Sequence, residues 1–449
     1  MSNPNPFLSR RSLLRAAGLF GGGLVAAPLL SACGGDSNSG GSTESGGSLG
    51  GVESGPVTLD FWTHDPGYIK TYTAMTKTFT DPFQYTLKVT TLAADAVVTK
   101  MLAQAQADTG TPDVVGVEVS QFPRTMKGNI AKSIFVNWTE LLSDEQKNDL
   151  LRLDDYAADG QTYCIESDTC PTVLYYREDL FDKLGIDPQV ETWEELQQAG
   201  AKSGKAFGIA GNGTPGDAMT AFRQLYNQRG KNLYDADGNA TIDTPEAVDV
   251  LQFMADSVKS GFFLTVPDAY GAPNAAALKS EKLIATFMPS WYIAYGLNAN
   301  VPDQKGKWRA RKLPTFSAGG GFGATAGGTG FAVFKDKPNT TAGVELVKQT
   351  YLTKEGQLLR FKTAGYLPTM KSLYTDTDFT SYEEPYLGGQ KIFEVYQGIA
   401  DSAPPYFQNA NLPVLSDILG GQIQQVLAGK TTPADAVKKA ASDYQAQAQ

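Results

Sequence analysis

Polar side chains follow the ends of two predicted strands. His64 and Asp65 follow the predicted strand 57–62 after one intervening residue, and Ser120 and Gln121 follow the predicted strand 112–117. In open α/β sheets, ligands bind beyond the carboxyl ends of the strands. Carboxylate, amide and hydroxyl groups at these positions predict a crevice that binds a ligand through hydrogen bonds.

Two further strand ends carry candidate residues. Trp291 closes the apolar run 283–288 with a large aromatic ring, and Gly327 and Gly328 precede the run 331–334. Glycine lets the backbone approach a ligand closely and adopts torsions that other residues avoid. These positions extend the predicted crevice.

The residues that enzymes commonly use are scarce. His64 is the one histidine of the chain, so the histidine-dependent triads have no support. A glycosidase with paired carboxylates stays open, because 48 acidic residues always offer pairs. Residues 235–239 faintly resemble a calcium loop, but an Asp-Gly hairpin between Leu233 and Ile242 fits them better. Neither a metal nor a cofactor is predicted.

Cys164 and Cys170 lie close together in the sequence, and outside the cytoplasm such a pair is typical of a disulfide. A loop this short gains only about 2 kcal/mol of stability from the bond. We predict a disulfide, with two free thiols as the open alternative.

The N-terminal segment has the three parts of an export signal. Residues 9–15 are basic and contain the pair Arg10 and Arg11, and residues 16–32 carry no charge. The paired arginine indicates the twin-arginine export route. The ending Leu-Ser-Ala before Cys33 resembles a bacterial lipobox. We therefore predict that residues 1–32 are removed and that Cys33 carries a lipid anchor.

Composition predicts a tether followed by a folded body. Residues 33–55 consist almost entirely of glycine and polar residues, which is typical of a flexible linker. The 449 residues are enough for more than one domain, at roughly 100–200 residues each. The net charge of −10 becomes more negative once the signal is removed, which argues against nucleic acid as a partner.

Beyond the tether, short apolar runs alternate with helical patterns, which predicts βαβ units and largely parallel sheets. Thr192 and Glu195 form the pattern of a capping box at a helix start. The predicted strands are 57–62, 87–89, 112–117, 172–176, 207–210, 283–288 and 331–334. The main helical patterns lie near 72–79, 97–105, 217–227, 341–351 and 416–428.

These elements and their motifs together resemble the substrate-binding proteins of bacterial ABC importers, the extracellular solute-binding family that includes the maltose-binding protein. The resemblance covers essentially all of residues 57–449. Each motif is weak alone, but their shared order is specific. The motifs are Phe61-Trp62, Asp65 with Gly67-Tyr68, 112–114, 174–181, 185–188, 192–196, 287–291, 313–315, Gly327-Gly328, 352–356, 365–368 and 426–429.

The resemblance implies an α/β, two-lobed periplasmic-binding-protein-like fold of type II. Each lobe would be a mainly parallel sheet flanked by helices, with the ligand in the cleft between the lobes. Three segments would cross between them, near 168–172, 317–323 and 363–367. Lobe 1 would comprise 56–168 and 322–365, and lobe 2 would comprise 169–321 and 366–449.

The resemblance also assigns roles in the cleft. Trp291 matches the family's stacking tryptophan, Asp65 its acidic residue in the first loop, and His64 a polar substitute beside it. The ligand-binding residues expected from the resemblance are His64, Asp65, Ser120, Gln121, Asp168, Trp291, Gly327, Gly328 and Tyr366. Tyr406 and Phe407 are weaker aromatic candidates near the C-terminal helices.

The function implied is capture of a carbohydrate outside the cytoplasmic membrane and its delivery to a membrane permease. The protein would be a lipid-anchored monomer, extracellular or periplasmic, without a cofactor and without covalent catalysis. A surface glycosidase or lyase is the alternative from another class. The same fold could also bind a non-sugar solute such as a polyamine, a phosphate ester or a metal chelate.

Overall fold

The computed structural model describes residues 53–448. The predicted export signal, the lipid site Cys33 and the tether up to residue 52 lie outside this range. Within it, none of the helices combines the length and the apolar character that crossing a membrane requires.

The strands of residues 53–448 lie close to the apolar runs of the sequence. In chain order they are β1 (Gly55–Thr63), β2 (Phe83–Thr91), β3 (Val114–Glu118), β4 (Ala157–Ala158), β5 (Gln161–Thr162), β6 (Ile165–Glu166), β7 (Thr172–Arg177), β8 (Gly208–Gly211), β9 (Phe263–Val266), β10 (Ala285–Pro289), β11 (Trp308–Arg311) and β12 (Thr329–Val333). All seven predicted strands are confirmed, with ends that differ by a few residues.

The helices of the same range include each of the predicted ones. In chain order they are α1 (Pro66–Thr78), α2 (Ala94–Gln106), α3 (Pro123–Met126), α4 (Ile130–Ile134), α5 (Trp138–Leu141), α6 (Asp144–Asp149), α7 (Glu178–Leu184), α8 (Trp193–Gly200), α9 (Pro215–Gln228), α10 (Pro245–Ser260), α11 (Ala272–Lys279), α12 (Thr340–Tyr351), α13 (Lys354–Ala364), α14 (Thr377–Thr380), α15 (Ile392–Tyr396), α16 (Ile399–Ser402), α17 (Leu412–Leu427) and α18 (Pro433–Gln447). A π-helical turn, Ile293–Asn298, follows β10.

The first lobe is built on a five-stranded sheet with the order β2-β1-β3-β12-β6. β1 pairs in parallel with β2 and β3, whereas β12 runs antiparallel to β3 and β6. The side chains of β1 alternate between two cores: Leu59 and Phe61 pack on one face, and Trp62 packs on the other. This alternation follows from the two-residue period of a strand.

The second lobe is built on β10-β7-β11, in which β7 runs antiparallel to both neighbours. A parallel bridge between Ala206 and Leu283 joins this sheet to the parallel pair β8 and β9. Val173 and Tyr175 of β7 face one core, and the neighbouring Leu174 faces the other. Both sheets thus contain antiparallel pairs and are mixed instead of mainly parallel.

Two local predictions are confirmed by hydrogen bonds. Thr192 and Glu195 form the capping box that starts α8, with each side chain bonded to the other residue's backbone N–H. Residues 235–239 form a tight turn in which Asp235 N–H donates to Asn239 O at 3.0 Å. No group of three or more His, Cys, Asp or Glu side chains in residues 53–448 is arranged to hold a metal ion.

The predicted disulfide is wrong, because Cys164 and Cys170 are free, buried thiols. Cys164 lies in the first-lobe core beside Tyr156, whereas Cys170 lines the cleft described below. The strand β6 and the segment that follows it separate the two residues, so closeness in sequence does not bring the sulfur atoms together. Burial raises the pKa of both thiols well above the usual range.

Two chain segments cross side by side between the lobes. Residues 167–172 and 324–329 pair through three backbone hydrogen bonds: Ser167 N–H to Thr329 O, Ala326 N–H to Cys170 O, and Thr172 N–H to Ala324 O. The first segment lies where the resemblance places it. The second lies after the expected 317–323, which instead contacts α9, where Gly321 N–H donates to Gln228 O at 2.7 Å.

The guanidinium of Arg152 holds these two crossing segments together. It is buried and donates to the carbonyl oxygens of Asp168 (3.1 Å) and Thr169 (3.3 Å) on one segment, and to that of Gly327 (3.0 Å) on the other. Its Nε donates to Asp155 at 2.7 Å. One side chain therefore fixes the spacing of the two crossing segments.

Glu166 completes this buried cluster. Its Oε1 accepts hydrogen bonds from the N–H groups of Ser167 (2.7 Å), Asp168 (3.0 Å) and Thr329 (3.1 Å), and its Oε2 lies 3.7 Å from Arg152. Glu166 therefore bonds to both crossing segments, as Arg152 does, and its negative charge lies beside the positive charge of the guanidinium.

We expect Arg152→Met to lower the free energy of unfolding by about 3–5 kcal/mol, because it leaves Asp155 and Glu166 buried without their cation. Urea unfolding of the purified protein measures the change. Lys88→Met is the control, since Lys88 and Asp60 form an exposed pair at 3.0 Å and the expected loss is at most about 1 kcal/mol. Equal losses in the two variants would contradict a special role for Arg152.

Candidate functional site

Two adjoining cavities form a cleft that contains every residue predicted to bind the ligand. The first compartment, of about 260 Å³, is lined by seven of them: His64, Asp65, Asp168, Trp291, Gly327, Gly328 and Tyr366. The second compartment, of about 520 Å³, is lined by Ser120 and Gln121, again with Trp291 and Gly327. Glu118 also lines both compartments. The nine residues are therefore brought together, and their contact with a ligand stays a prediction.

The lobes deliver these residues from strand ends. Asp65 follows β1 and caps the N-terminus of α1, and Ser120 follows β3. Trp291 follows β10 of the second sheet, and Gly328 directly precedes β12. The predicted placement of both first-lobe loops beside one crevice is confirmed.

Asp65 is held by three donors. Its Oδ1 accepts from Gly67 N–H at 2.7 Å and from the hydroxyl of Tyr295, and its Oδ2 accepts from the hydroxyl of Tyr366 at 2.6 Å. Tyr295 belongs to the π-helical turn of the second lobe, whereas Asp65 belongs to the first. The carboxylate therefore links the two lobes at the rim of the first compartment.

Tyr366 also forms the aromatic floor of this compartment. Its ring stacks on that of Tyr68, with 4.5 Å between the ring centres and an angle of 9°. Gly67 allows this approach, because a Cβ atom there would lie 2.3 Å from the Tyr366 hydroxyl oxygen. Burial raises the pKa of both tyrosines, so both hydroxyls stay protonated as donors.

Trp291 stands at the junction of the two compartments. Its Nε1 donates to Ala326 O at 3.2 Å, and its ring centre lies 5.5 Å from that of Tyr270 and 6.3 Å from that of Tyr295. Both tyrosines are exposed, at 44% and 50%. Gly327, with φ of 78°, leaves room for the indole, since a Cβ would lie 3.1 Å from its Nε1. The result is an aromatic wall that is accessible from the cleft.

The second compartment presents oriented hydrogen-bonding groups. Glu118 Oε2 accepts from the backbone N–H of Ser120 at 2.9 Å and from its hydroxyl. Gln121 Oε1 accepts from Arg124 at 3.2 Å, and Arg124 also donates to Asp95 O and Thr99 Oγ1. Supporting hydrogen bonds of this kind keep side chains in the conformation that a ligand needs.

His64 and Asp168 of the first compartment also have shifted pKa values. Burial lowers the pKa of His64, although the nearby Glu118 and Asp65 carboxylates oppose the shift, so the imidazole is neutral at pH 7. Its Nδ1 is buried and has no hydrogen-bond partner in residues 53–448. Burial raises the pKa of Asp168 to about 6, and that of the neighbouring Glu166 to about 7.

Several residues of the cleft escape prediction from the sequence. Tyr295 lies in the π-helical turn and Tyr270 in a loop, and neither segment carries a motif. Arg223 lies on α9, where the helical pattern of the sequence indicates only the apolar face. Tyr406, a weaker candidate, does line the second compartment, whereas Phe407 packs against the second-lobe core. Glu118 is the last residue of β3, and a carboxylate at a strand end is the signal that could have found it.

The model of the family described as bacterial extracellular solute-binding protein matches residues 69–385. The arabinooligosaccharide-binding protein of Halalkalibacterium halodurans is 26% identical over 406 residues, which cover 88% of this chain and 90% of that protein. The arabinooligosaccharide-binding protein of Bacillus subtilis is 24% identical over 409 residues, or 87% and 92% of the two chains.

Solved structures agree on the fold. The GacH receptor of Streptomyces glaucescens superimposes with a TM-score of 0.69 at 22% identity, over 88% of this chain and 98% of that one. The cyclic alpha-maltosyl-1,6-maltose binding protein of Arthrobacter globiformis gives a TM-score of 0.71 at 22% identity, over 87% and 98%. The two-lobed α/β fold expected from the sequence is confirmed.

The raised pKa of Glu166 predicts a stability that falls with rising pH. Between its ordinary pKa of 4.5 and the folded value of about 7, the folded protein keeps a proton that the unfolded chain releases. The free energy of unfolding therefore decreases across this window by at most about 1.4 kcal/mol per pH unit and is constant above it. Glu166→Gln removes this titrating group. The free energy of unfolding of the variant, relative to that of the native protein, should therefore rise from pH 5 to pH 7.5.

Urea unfolding at several pH values measures both curves. Lys88→Met again serves as the control, whose curve should run parallel to that of the native protein. Parallel curves for Glu166→Gln and the native protein would show that the carboxyl group is ionised throughout.

Proposed function

Because the chain belongs to the bacterial extracellular solute-binding protein family, we propose that it is the substrate-binding component of an ABC importer and captures a carbohydrate. The observation that carries the proposal is the aromatic wall of Trp291, Tyr270 and Tyr295, accessible from the cleft and flanked by carboxylate, amide and hydroxyl groups. A membrane permease would receive the ligand from the closed protein.

The chemistry of the cleft suits a sugar. The apolar face of a pyranose or furanose ring packs on an electron-rich aromatic face, which Trp291 offers at the junction of the compartments. Vicinal hydroxyls need acceptors and mixed donor–acceptor groups, which Asp65, Glu118 and Gln121 provide. Two linked compartments on either side of one tryptophan favour an oligosaccharide over a single sugar unit. The names of the two arabinooligosaccharide-binding relatives support the same ligand class.

Binding is coupled to movement of the lobes about the crossing segments. We keep the predicted division of the chain, 56–168 and 322–365 in lobe 1 and 169–321 and 366–449 in lobe 2, except that the boundary predicted at 321 moves to the crossing segment 324–329. Trp291 and Tyr270 come from lobe 2, whereas Asp65 and Gln121 come from lobe 1, so a ligand in the cleft contacts both lobes. A ligand favours the closed form only by the difference in its affinity for the two forms. Contacts made with both lobes at once supply that difference.

The N-terminal motifs place the protein outside the cell in this proposal. Residues 1–32 direct export by the twin-arginine route, and Cys33 then carries the lipid that anchors the protein to the outer face of the cytoplasmic membrane. The two acyl chains of a diacylglyceryl group bind a bilayer stably, whereas one chain alone is reversible. Residues 33–55 tether the monomeric binding body to this anchor.

We expect Trp291→Ala to weaken sugar binding by roughly 10- to 100-fold, because about 1.5–3 kcal/mol of aromatic burial against the ligand is lost. A thermal-shift screen of the purified protein against neutral and acidic oligosaccharides identifies the ligand first, since a ligand at 100 times its Kd adds about 2.7 kcal/mol of stability. Isothermal titration with that ligand then compares the Kd of Trp291→Ala with the Kd of the native protein.

Trp291→Phe keeps an aromatic ring and should retain most of the affinity. Leu184→Ala, on the exposed surface of α7, is the control for a general loss of folding. Unchanged affinity in Trp291→Ala would contradict the stacking role. Release of shorter sugars from the bound oligosaccharide would instead support a glycosidase or lyase.

The lipid anchor predicts that Cys33→Ser abolishes membrane attachment. In a bacterial host that is fed labelled fatty acid, the native protein should carry label and sediment with membranes, whereas the variant should carry none. Ser42→Ala, within the predicted tether, is the matched control and should behave as the native protein. Labelling of Cys33→Ser at the native level would contradict the assignment.

A further inference from the structure

Arg223 places a guanidinium on the wall of the second compartment. It lies on α9, and its Nη1 donates to the hydroxyl of Tyr406 at 2.7 Å. The guanidinium carbon lies 4.8 Å from the centre of the Tyr406 ring, so the group is also held by the aromatic face. Among residues 53–448, no carboxylate forms an ion pair with Arg223.

Other arginines of the structure use their donors within the protein. Arg152 bonds to Asp155 and to three carbonyl oxygens. Arg124, in the same compartment as Arg223, donates to three acceptors of the first lobe. Arg223 donates to one neutral hydroxyl and has most of its five N–H groups left for a partner in the cleft.

Charge is distributed unevenly along the cleft. The first compartment is lined by the carboxyl groups of Asp65, Glu118 and Asp168 and by neutral His64, with no Lys or Arg among its lining residues. The second compartment is lined by both arginines of the cleft, Arg124 and Arg223, and by the carboxylates of Glu118 and Asp417, neither of which pairs with Arg223. Glu118 lies at the junction, where two hydrogen bonds from Ser120 hold its Oε2. An anionic group on a ligand is therefore disfavoured in the first compartment and has a cation to pair with in the second.

We propose that Arg223 binds a carboxylate of the ligand, so that the preferred cargo is an oligosaccharide with a uronic acid unit in the second compartment. This inference rests on the proposed capture of a carbohydrate and narrows its ligand class. The planar guanidinium matches a carboxylate through two parallel hydrogen bonds. Tyr270 and Trp291 on the same wall accommodate the sugar ring that carries the acid.

Isothermal titration of the purified full-length protein tests the assignment with two probes of equal length. One is a neutral pentose trisaccharide, and the other carries a glucuronic acid unit at its end. At low ionic strength we expect the acidic probe to bind at least about tenfold more tightly, because a charge-assisted bond is roughly twice as strong as a neutral one. The preference should shrink in high salt, since Arg223 is only partly buried.

Arg223→Gln should lose the preference for the acidic probe while it retains binding of the neutral one. Arg223→Lys keeps the charge without the planar fork and should retain part of the preference. Lys439→Gln removes the same charge from an exposed pair with Asp443 and should bind as the native protein does. Thermal melting of each variant verifies its folding.

The other outcomes of this experiment overturn the inference, and they distinguish a failure of the carboxylate role from a failure of carbohydrate capture. Equal affinity for the two probes in the native protein, or a preference that persists in Arg223→Gln, rejects the carboxylate role and leaves carbohydrate capture intact. Tighter binding of a sugar phosphate than of the uronic acid, lost in Arg223→Gln, rejects a carboxylate in favour of a phosphate. Failure of every saccharide to bind rejects the proposed function as well.

Discussion

The arrangement of the cleft depends on the buried contact between the Arg152 guanidinium and the two crossing segments. Its bonds to the carbonyl oxygens of residues 168, 169 and 327 set the distance between these segments. Gly327 and Asp168 line the first compartment, so the same bonds determine the width of the cleft floor. Gly327 in turn accommodates Trp291, which places the aromatic wall relative to that floor. A displacement at Arg152 would therefore be transmitted to the residues that contact a ligand.

The polar cluster around Arg152 bonds to the backbone of both crossing segments. Three backbone hydrogen bonds pair the two segments, and every other buried N–H or carbonyl group there needs a further partner, since one without a bond destabilises the fold. Glu166 accepts from three backbone N–H groups, and Arg152 donates to three carbonyl oxygens. Gly328 is required beside them, because a Cβ there would lie 2.5 Å from Glu166 Oε2. The same hydrogen bonds thus satisfy buried backbone groups and hold the two crossing segments side by side.

Features with a local cause were predictable from the sequence, and features with a tertiary cause were not. The strand β1 follows from its apolar period, and the start of α8 follows from the Thr192 capping box, because both signals depend on neighbours in the chain. Asp65 and Trp291 were found through family motifs at strand ends. Arg223 and Tyr270 carry no local signal, since their place in the cleft depends on how distant elements pack. The antiparallel direction of β7 has the same cause.

The error over Cys164 and Cys170 shows why short spacing is a weak guide to contact. Five residues between two cysteines permit a bond only where the chain turns back on itself, whereas here the strand β6 extends it. Cys164 then contacts the core of one lobe, and Cys170 the floor of the cleft. A covalent bond between them would tie the first crossing segment to the first lobe. The proposed closure of the lobes turns about the crossing segments, which Arg152 and Glu166 link through hydrogen bonds instead of a covalent bond. Hydrogen bonds of this kind hold the segments in register and do not tie the first crossing segment covalently to the first lobe.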